Sequence, residues 1–226
     1  TSMMALVMCV FMLVGTTFAW FTDTASTGVN KIVAGNLDVK LMYSTDMQTW
    51  KEATDQTKLF DDNALWEPGY TQVVYLKVVN AGNLALKYEA GFSKNYTSNK
   101  GKNVNGDWYR VDNYLKIGTA EVTTKFANRE AVWTAIAATE KTLAKDVMLT
   151  DGWITLKAGE ESEPFAVAIY MPTSVGNEAN ASKNRPSKVT GLGIEVRATQ
   201  ATVENDSFGP DYDANAATVL DRVEYT

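Results

Sequence analysis

The sequence contains no histidine, and this absence narrows its chemistry more than any residue it has. Histidine titrates near neutral pH and is the commonest zinc ligand, so an imidazole acid–base site and an H-E-x-x-H zinc site are both excluded. Cysteine is nearly as scarce: Cys9 is the only one in 226 residues. It lies in an apolar run and reads as a small apolar side chain, so neither a disulfide framework nor a thiolate metal cluster can form downstream of it. Basic residues are outnumbered, 21 Lys and Arg against 27 Asp and Glu, and no long basic run occurs. A net charge of −6 argues against a general nucleic-acid binder, since neutralising phosphates needs clustered cations. No cofactor is expected: Gly191-Leu192-Gly193 lacks the remaining glycine and the strand-to-helix setting of a phosphate loop.

Charge is also missing from the opening, TSMMALVMCVFMLVGTTFAWFTD, until Asp23. Met3 to Val14 is an unbroken apolar run of signal-peptide type, and Thr17 and Ala19 supply the small side chains expected around a cleavage point. As a helix, the uncharged stretch would extend about 33 Å, enough to cross a bilayer. No Lys or Arg precedes it. Two fates are open: removal after export, or retention. In a soluble monomer such a helix would aggregate, so retention implies that it packs with copies of itself in a filament core. The side chains that would do so are Met4, Leu6, Val7, Val10, Phe11, Leu13, Val14 and Phe18. The chain therefore divides into a hydrophobic export or assembly segment, 1–21, and a domain, 22–226.

From Asn30 onward the pattern changes to period two. NLDVKLMY alternates Leu37, Val39 and Leu41 against Asp38 and Lys40, as a half-buried strand does. YTQVVYLKVV and LALKYEAGF read as two more strands, joined as a hairpin through Asn80-Ala81-Gly82-Asn83. GWITLKAG, EPFAVAIYMP and GLGIEVRATQATV add three further strands. One helical insertion is predicted near 128–147, with Asn128 as N-cap and Val132, Ile136, Leu143 and Val147 near one face. Short strands with one embedded helix predict an all-β fold, an antiparallel jelly-roll-type β-sandwich preceded by the N-terminal hydrophobic segment.

Several stretches are more specific than periodicity. Gly15-Thr16-Thr17-Phe18-Ala19-Trp20-Phe21-Thr22-Asp23 is followed by Ile32-Val33-Ala34-Gly35-Asn36-Leu37-Asp38-Val39. WEPG at 66–69, NAGNLALKY at 80–88 and the terminal ATQATVENDSFGPDYD complete the set. Together these resemble the TasA/camelysin family, SipW-dependent secreted fibre-forming proteins of Gram-positive bacteria. The stretch from about 94 to 160 carries no such likeness. The resemblance implies a jelly-roll domain exported through the membrane and assembled into extracellular, biofilm-matrix or pilus-like filaments. It implies cleavage by a signal peptidase between Ala19 and Trp20. It also implies a mature N-terminal segment, from Trp20 and Phe21 to about Asn30, that lies as a donor strand in the next subunit's sheet. The expected partner is the chain itself, as a head-to-tail homopolymer, besides the membrane and signal peptidase during export.

Other chemistry is poorly represented. Camelysin-like members of that family are associated with metalloprotease activity, which a histidine-free chain cannot perform through a zincin site. Glu160-Glu161-Ser162-Glu163 precedes a strand and reads as a solvated turn rather than an acid pair. Asp206, Asp211 and Asp213 could supply oxygen ligands to calcium, but their spacing fits no EF-hand loop and an exposed acidic loop is the plainer reading. The expectation is a structural filament subunit without enzymatic activity. The alternatives are a monomeric membrane-anchored cell-surface binding module and, further off, a carboxylate-dependent hydrolase.

Overall fold

The computed structural model describes residues 22–26, 37–93 and 95–201. The apolar segment with its assembly residues Met4 to Phe21, the Ala19–Trp20 cleavage point, and Asp206, Asp211 and Asp213 lie outside the described residues. Within them the fold is antiparallel β throughout, with a single α-helix.

The larger sheet has six strands in the order β10 (Lys141–Thr142), β9 (Lys116–Glu121), β12 (Phe165–Tyr170), β4 (Thr71–Asn80), β2 (Val39–Ser44) and β3 (Lys51–Glu52). The smaller has four, in the order β1 (Thr22–Ser26), β14 (Ile194–Gln200), β5 (Leu86–Phe92) and β11 (Ile154–Leu156). Two-residue ribbons finish one end: β6 (Thr97–Ser98) with β13 (Val189–Thr190), and β7 (Gly101–Lys102) with β8 (Trp108–Tyr109).

The alternation seen in the sequence becomes the core. Leu41, Leu76, Val78 and Ile169 project from the larger sheet into one cluster with Leu86, Tyr88, Phe92, Ile194 and Val196 from the smaller. Each such side chain contributes about 1.5–3 kcal/mol by leaving water, so this shared layer dominates the stability of the sandwich. The opposite face of β5 and β14 is polar, carrying Lys87, Glu89, Glu195 and Arg197.

β12 is apolar at almost every position because both its faces are covered. Val167 and Ile169 enter the shared core, whereas Ala168 and Tyr170 meet α1 (Arg129–Ile136) through Val132 and Ile136. The small side chain of Ala168 and the bare Cα of Gly118 on β9 let the helix approach. A Cβ on Gly118 would stand 2.7 Å from the Cβ of Ile136.

Two sequence expectations are corrected. The helix is shorter than 128–147. Asn128 caps it as expected, its Oδ1 accepting from Ala131 N at 2.9 Å, and Val132 and Ile136 are buried. Beyond Ile136, however, the edge of β9 captures the chain: Thr139 Oγ1 donates to Thr119 O and accepts from Thr119 N, and β10 then pairs with β9. Leu143 consequently enters the main core rather than extending the helical face. The second correction concerns β4 and β5, which do not form a hairpin but lie in different sheets. Asn80 turns the chain from one layer to the other. Fully buried, it donates from Nδ2 to the carbonyls of Leu84 (2.8 Å), Lys157 (2.9 Å) and Leu156 (3.3 Å), and its Oδ1 accepts from Gly82 N.

Candidate functional site

An edge strand offers a row of unpaired N–H and C=O groups, so sheet edges are where an all-β chain recruits a partner. Three of the four outer edges here are short. β3 and β10 have two residues each and both contain a lysine, while β11 has three residues. The fourth outer edge is β1, five residues laid along β14. β14 is seven residues long, its inner side pairs with β5 along its whole length, and its outer side is taken by β1.

The pairing of β1 is antiparallel and in register over five positions, from Thr22 opposite Thr199 to Ser26 opposite Glu195. Among the described residues β1 has only this one strand neighbour. Removing it would leave the backbone of Glu195 to Thr199 without ladder partners on that side, while Ile194, Val196 and Ala198 stayed in the core through β5. Thus the outer side of β14 takes one strand, and β1 of the same chain supplies it. The expected donor segment, Trp20 to about Asn30, contains β1; its flanking positions lie outside the described residues.

The outer face beside this edge carries a tight charge group. Arg197 reaches Glu195 Oε1 through Nε at 3.1 Å and Glu89 Oε1 through Nη1 at 3.7 Å. The hydrogen bond to Glu195 raises the guanidinium's pKa beyond its ordinary value, and the surrounding carboxylates add to this. The Arg197–Glu89 pair spans β14 and β5 at directly opposed positions on the solvent side; as a partly exposed ion pair, it stabilises modestly.

The sequence's acid cluster has a structural role. Glu161 pairs with Lys77, and Glu160 accepts from Lys157 N at 2.8 Å. Ser162 extends the β4 ladder, donating its N–H to Val78 O while its Oγ accepts from Val78 N. An open groove of about 900 Å³ runs past these residues between β9 and β11, lined in part by Ala120, Leu149, Leu156 and Phe165. Of its polar side chains, Glu161 is engaged by Lys77 and Thr139 by Thr119. Among the described residues no group of three or more Cys, Asp or Glu side chains is placed to hold a metal ion, and no helix is long and apolar enough to cross a membrane.

One surface was not legible in the sequence. Trp108 on β8 is 58% exposed and lies between two cations from separate segments, Lys102 Nζ at 5.1 Å from its ring centre and the Arg185 guanidinium at 5.8 Å. The segments are 77 residues or more apart in sequence, which is why neither reads as a basic motif.

No protein-family model matches the chain, and no curated protein or solved structure is detectably similar to it.

Proposed function

We propose that this chain is a structural subunit that polymerises into extracellular filaments by lending its N-terminal strand to the neighbouring copy, without enzymatic activity. The observation that carries this reading is the attachment of β1: five residues, paired among the described residues with β14 alone, and joined to the rest of the sandwich through residues 27–36. A backbone ladder is indifferent to which copy supplies the strand. The same residues from a second molecule satisfy the same N–H and C=O groups, so exchange costs little beyond bringing the copies together. Because donor and receptor are different surfaces, the contact does not close on itself, and it propagates.

The resemblance at residues 15–23, 32–39, 66–69 and 80–88 supports the same reading, including export, processing between Ala19 and Trp20, and a location outside the cell. We read the fold more finely as a jelly-roll-type sandwich, because the chain passes repeatedly between the sheets: β1 to β2, β4 to β5, β5 to β9, β10 to β11, β11 to β12, and β12 to β14. If residues 1–19 are retained, the apolar side chains from Met4 to Phe18 form a helical core instead, and the sandwich decorates the outside.

Electron microscopy of the purified chain, alone and with residues 20–28 deleted, tests the proposal. Filaments from the intact chain and folded, dispersed monomers from the deletion are expected. Monomers from the intact chain under all conditions would sink it, as would normal filaments from the deletion.

A further inference from the structure

The exposed basic surface around Trp108 has a built character that ordinary solvated lysines lack. Its two segments are bolted together: Lys102 N donates to Arg185 O and Ser182 N to Lys102 O, both at 2.8 Å. Gly101 sits so closely under the second segment that a Cβ there would meet Ser187 N at 2.2 Å, and only glycine permits this approach. Upon this frame stand Lys100, Lys102, Lys183, Arg185 and Lys188, all at least partly exposed. None of them forms an ion pair among the described residues; elsewhere Lys40, Lys58, Lys77, Arg129 and Lys157 are paired, while Lys51, Lys87 and Lys125 stand singly and scattered.

The nearby acids do not cancel this charge. Asp112 is buried against Arg110 at 2.9 Å, while Asp107 beside Trp108 and Glu178, whose carboxylate accepts from Gly176 N, are exposed, so two free carboxylates stand against the five cations. The indole of Trp108 holds Lys102 and Arg185 in place through its π face, which orders the cations without neutralising them. A cluster of ordered, unneutralised cations is a receptor for a multiply charged anion.

The chain itself contains such a partner. Residues 202–226 hold Glu204, Asp206, Asp211, Asp213, Asp221 and Glu224 against one cation, Arg222. The direction of β14 shows where this segment departs. Gln200 pairs with Leu86 at one end of the sandwich, while Ile194 pairs with Phe92 at the other, next to the β6–β13 ribbon and the basic surface. A strand of this length spans about 20 Å. The acidic segment therefore leaves the sandwich at the pole opposite the basic surface. The residues preceding Thr22 leave at that same acidic pole, since Thr22 lies opposite Thr199.

Resting on the filament reading, we propose that the surface formed by Lys100, Lys102, Trp108, Lys183, Arg185 and Lys188 docks the acidic 202–226 segment of the adjacent copy. Each subunit then has the exit points of its acidic sequence, after Ala201, and of the residues before Thr22 at one end, and its basic receptor at the other. A head-to-tail array brings opposite charges together at every junction, and a head-to-head encounter sets like charges against each other. Strand exchange supplies the mechanical link, and the charge contact supplies its direction.

The test is zero-length carbodiimide cross-linking of filaments grown from an equal mixture of ordinary and nitrogen-15-labelled full-length chain, read by mass spectrometry. Amide links are expected between Lys100, Lys102, Lys183 or Lys188 and the carboxylates of 202–226, with mixed-isotope pairs abundant. The double variant Lys102→Glu/Arg185→Glu should lose them. Filaments that yield only same-isotope pairs, or whose acidic segment links to other lysines, would overturn the docking contact while leaving the filament reading intact. Failure to form filaments at all would remove both.

Discussion

Ile136, the last residue of α1, lies directly over Gly118 in the middle of β9, so close that a methyl group on Gly118 would stand 2.7 Å from its Cβ and 3.0 Å from its carbonyl oxygen. The helix reaches the sheet because that strand position lacks a side chain. Gly118→Ala should therefore lift the helix or displace the strand, costing about 1–3 kcal/mol as overpacked substitutions do. Urea denaturation checks this; stability unchanged within error would mean that the helix is not seated as described.

Asn80 makes the turn between the sheets. Asn80→Leu keeps the branched shape with bulkier methyls but leaves the carbonyls of Leu84, Leu156 and Lys157 and the Gly82 N–H without their side-chain partner, a loss on the order of 3 kcal/mol. Asn80→Asp should be worse near neutral pH, because a carboxylate would face those carbonyls. Thermal unfolding of the two variants at pH 7 and pH 4 should show the Asp variant recovering in acid and the Leu variant not.

Acid should weaken the domain at identifiable carboxylates. Asp46 accepts from the N–H groups of Thr49 and Gln48 and from Ser44 Oγ, and these bonds lower its pKa from 3.8 to about 2. A depressed carboxylate stabilises the fold fully above 3.8 and loses that contribution as the pH falls towards about 2. Asp112 follows the same sign: burial pushes it up, but bonds from Arg110 and Ser98 outweigh this and hold it below its ordinary value. Asp46→Asn should flatten the acid limb of a stability–pH curve, and an unchanged limb would contradict the assignment.

Alkali should act through Tyr170. Its phenol is pushed up to about 12 by burial first, then by its hydrogen bond to Glu140. A raised tyrosine stabilises the fold fully below its ordinary value of 10, and the contribution disappears as the pH rises through about 12. Tyr170→Phe should remove this part of the alkaline loss. Ultraviolet titration should find one fewer late-ionising phenol.

The strands that the sequence disclosed are those with a clean period of two, such as Leu37-Val39-Leu41 and Ile194-Val196-Ala198, because one face is core and the other is water. β9 was missed: Gly118 interrupts its alternation, and the reason for that glycine lies 18 residues away in Ile136. The pairing of β4 with β5 was misjudged because Asn80-Ala81-Gly82-Asn83 has hairpin composition. The buried contacts that make it an inter-sheet turn come from Leu156 and Lys157. At the candidate site, the sequence marked the strand segment from Trp20 to Asn30 but could not say which edge receives it. It was silent on the Trp108 surface, whose cations meet only after folding.

The most direct measurement of strand exchange uses the register of β1 on β14. Thr22 and Thr199 stand opposite one another, a spacing compatible with a disulfide. In a Cys9→Ser background, one chain carries Thr22→Cys and a second carries Thr199→Cys; the two are mixed, assembled and oxidised. The account predicts covalent dimers joining the two kinds of chain, at a yield that rises with assembly. A double variant that closes the bridge only within single chains, together with filaments free of cross-chain dimers, would contradict it.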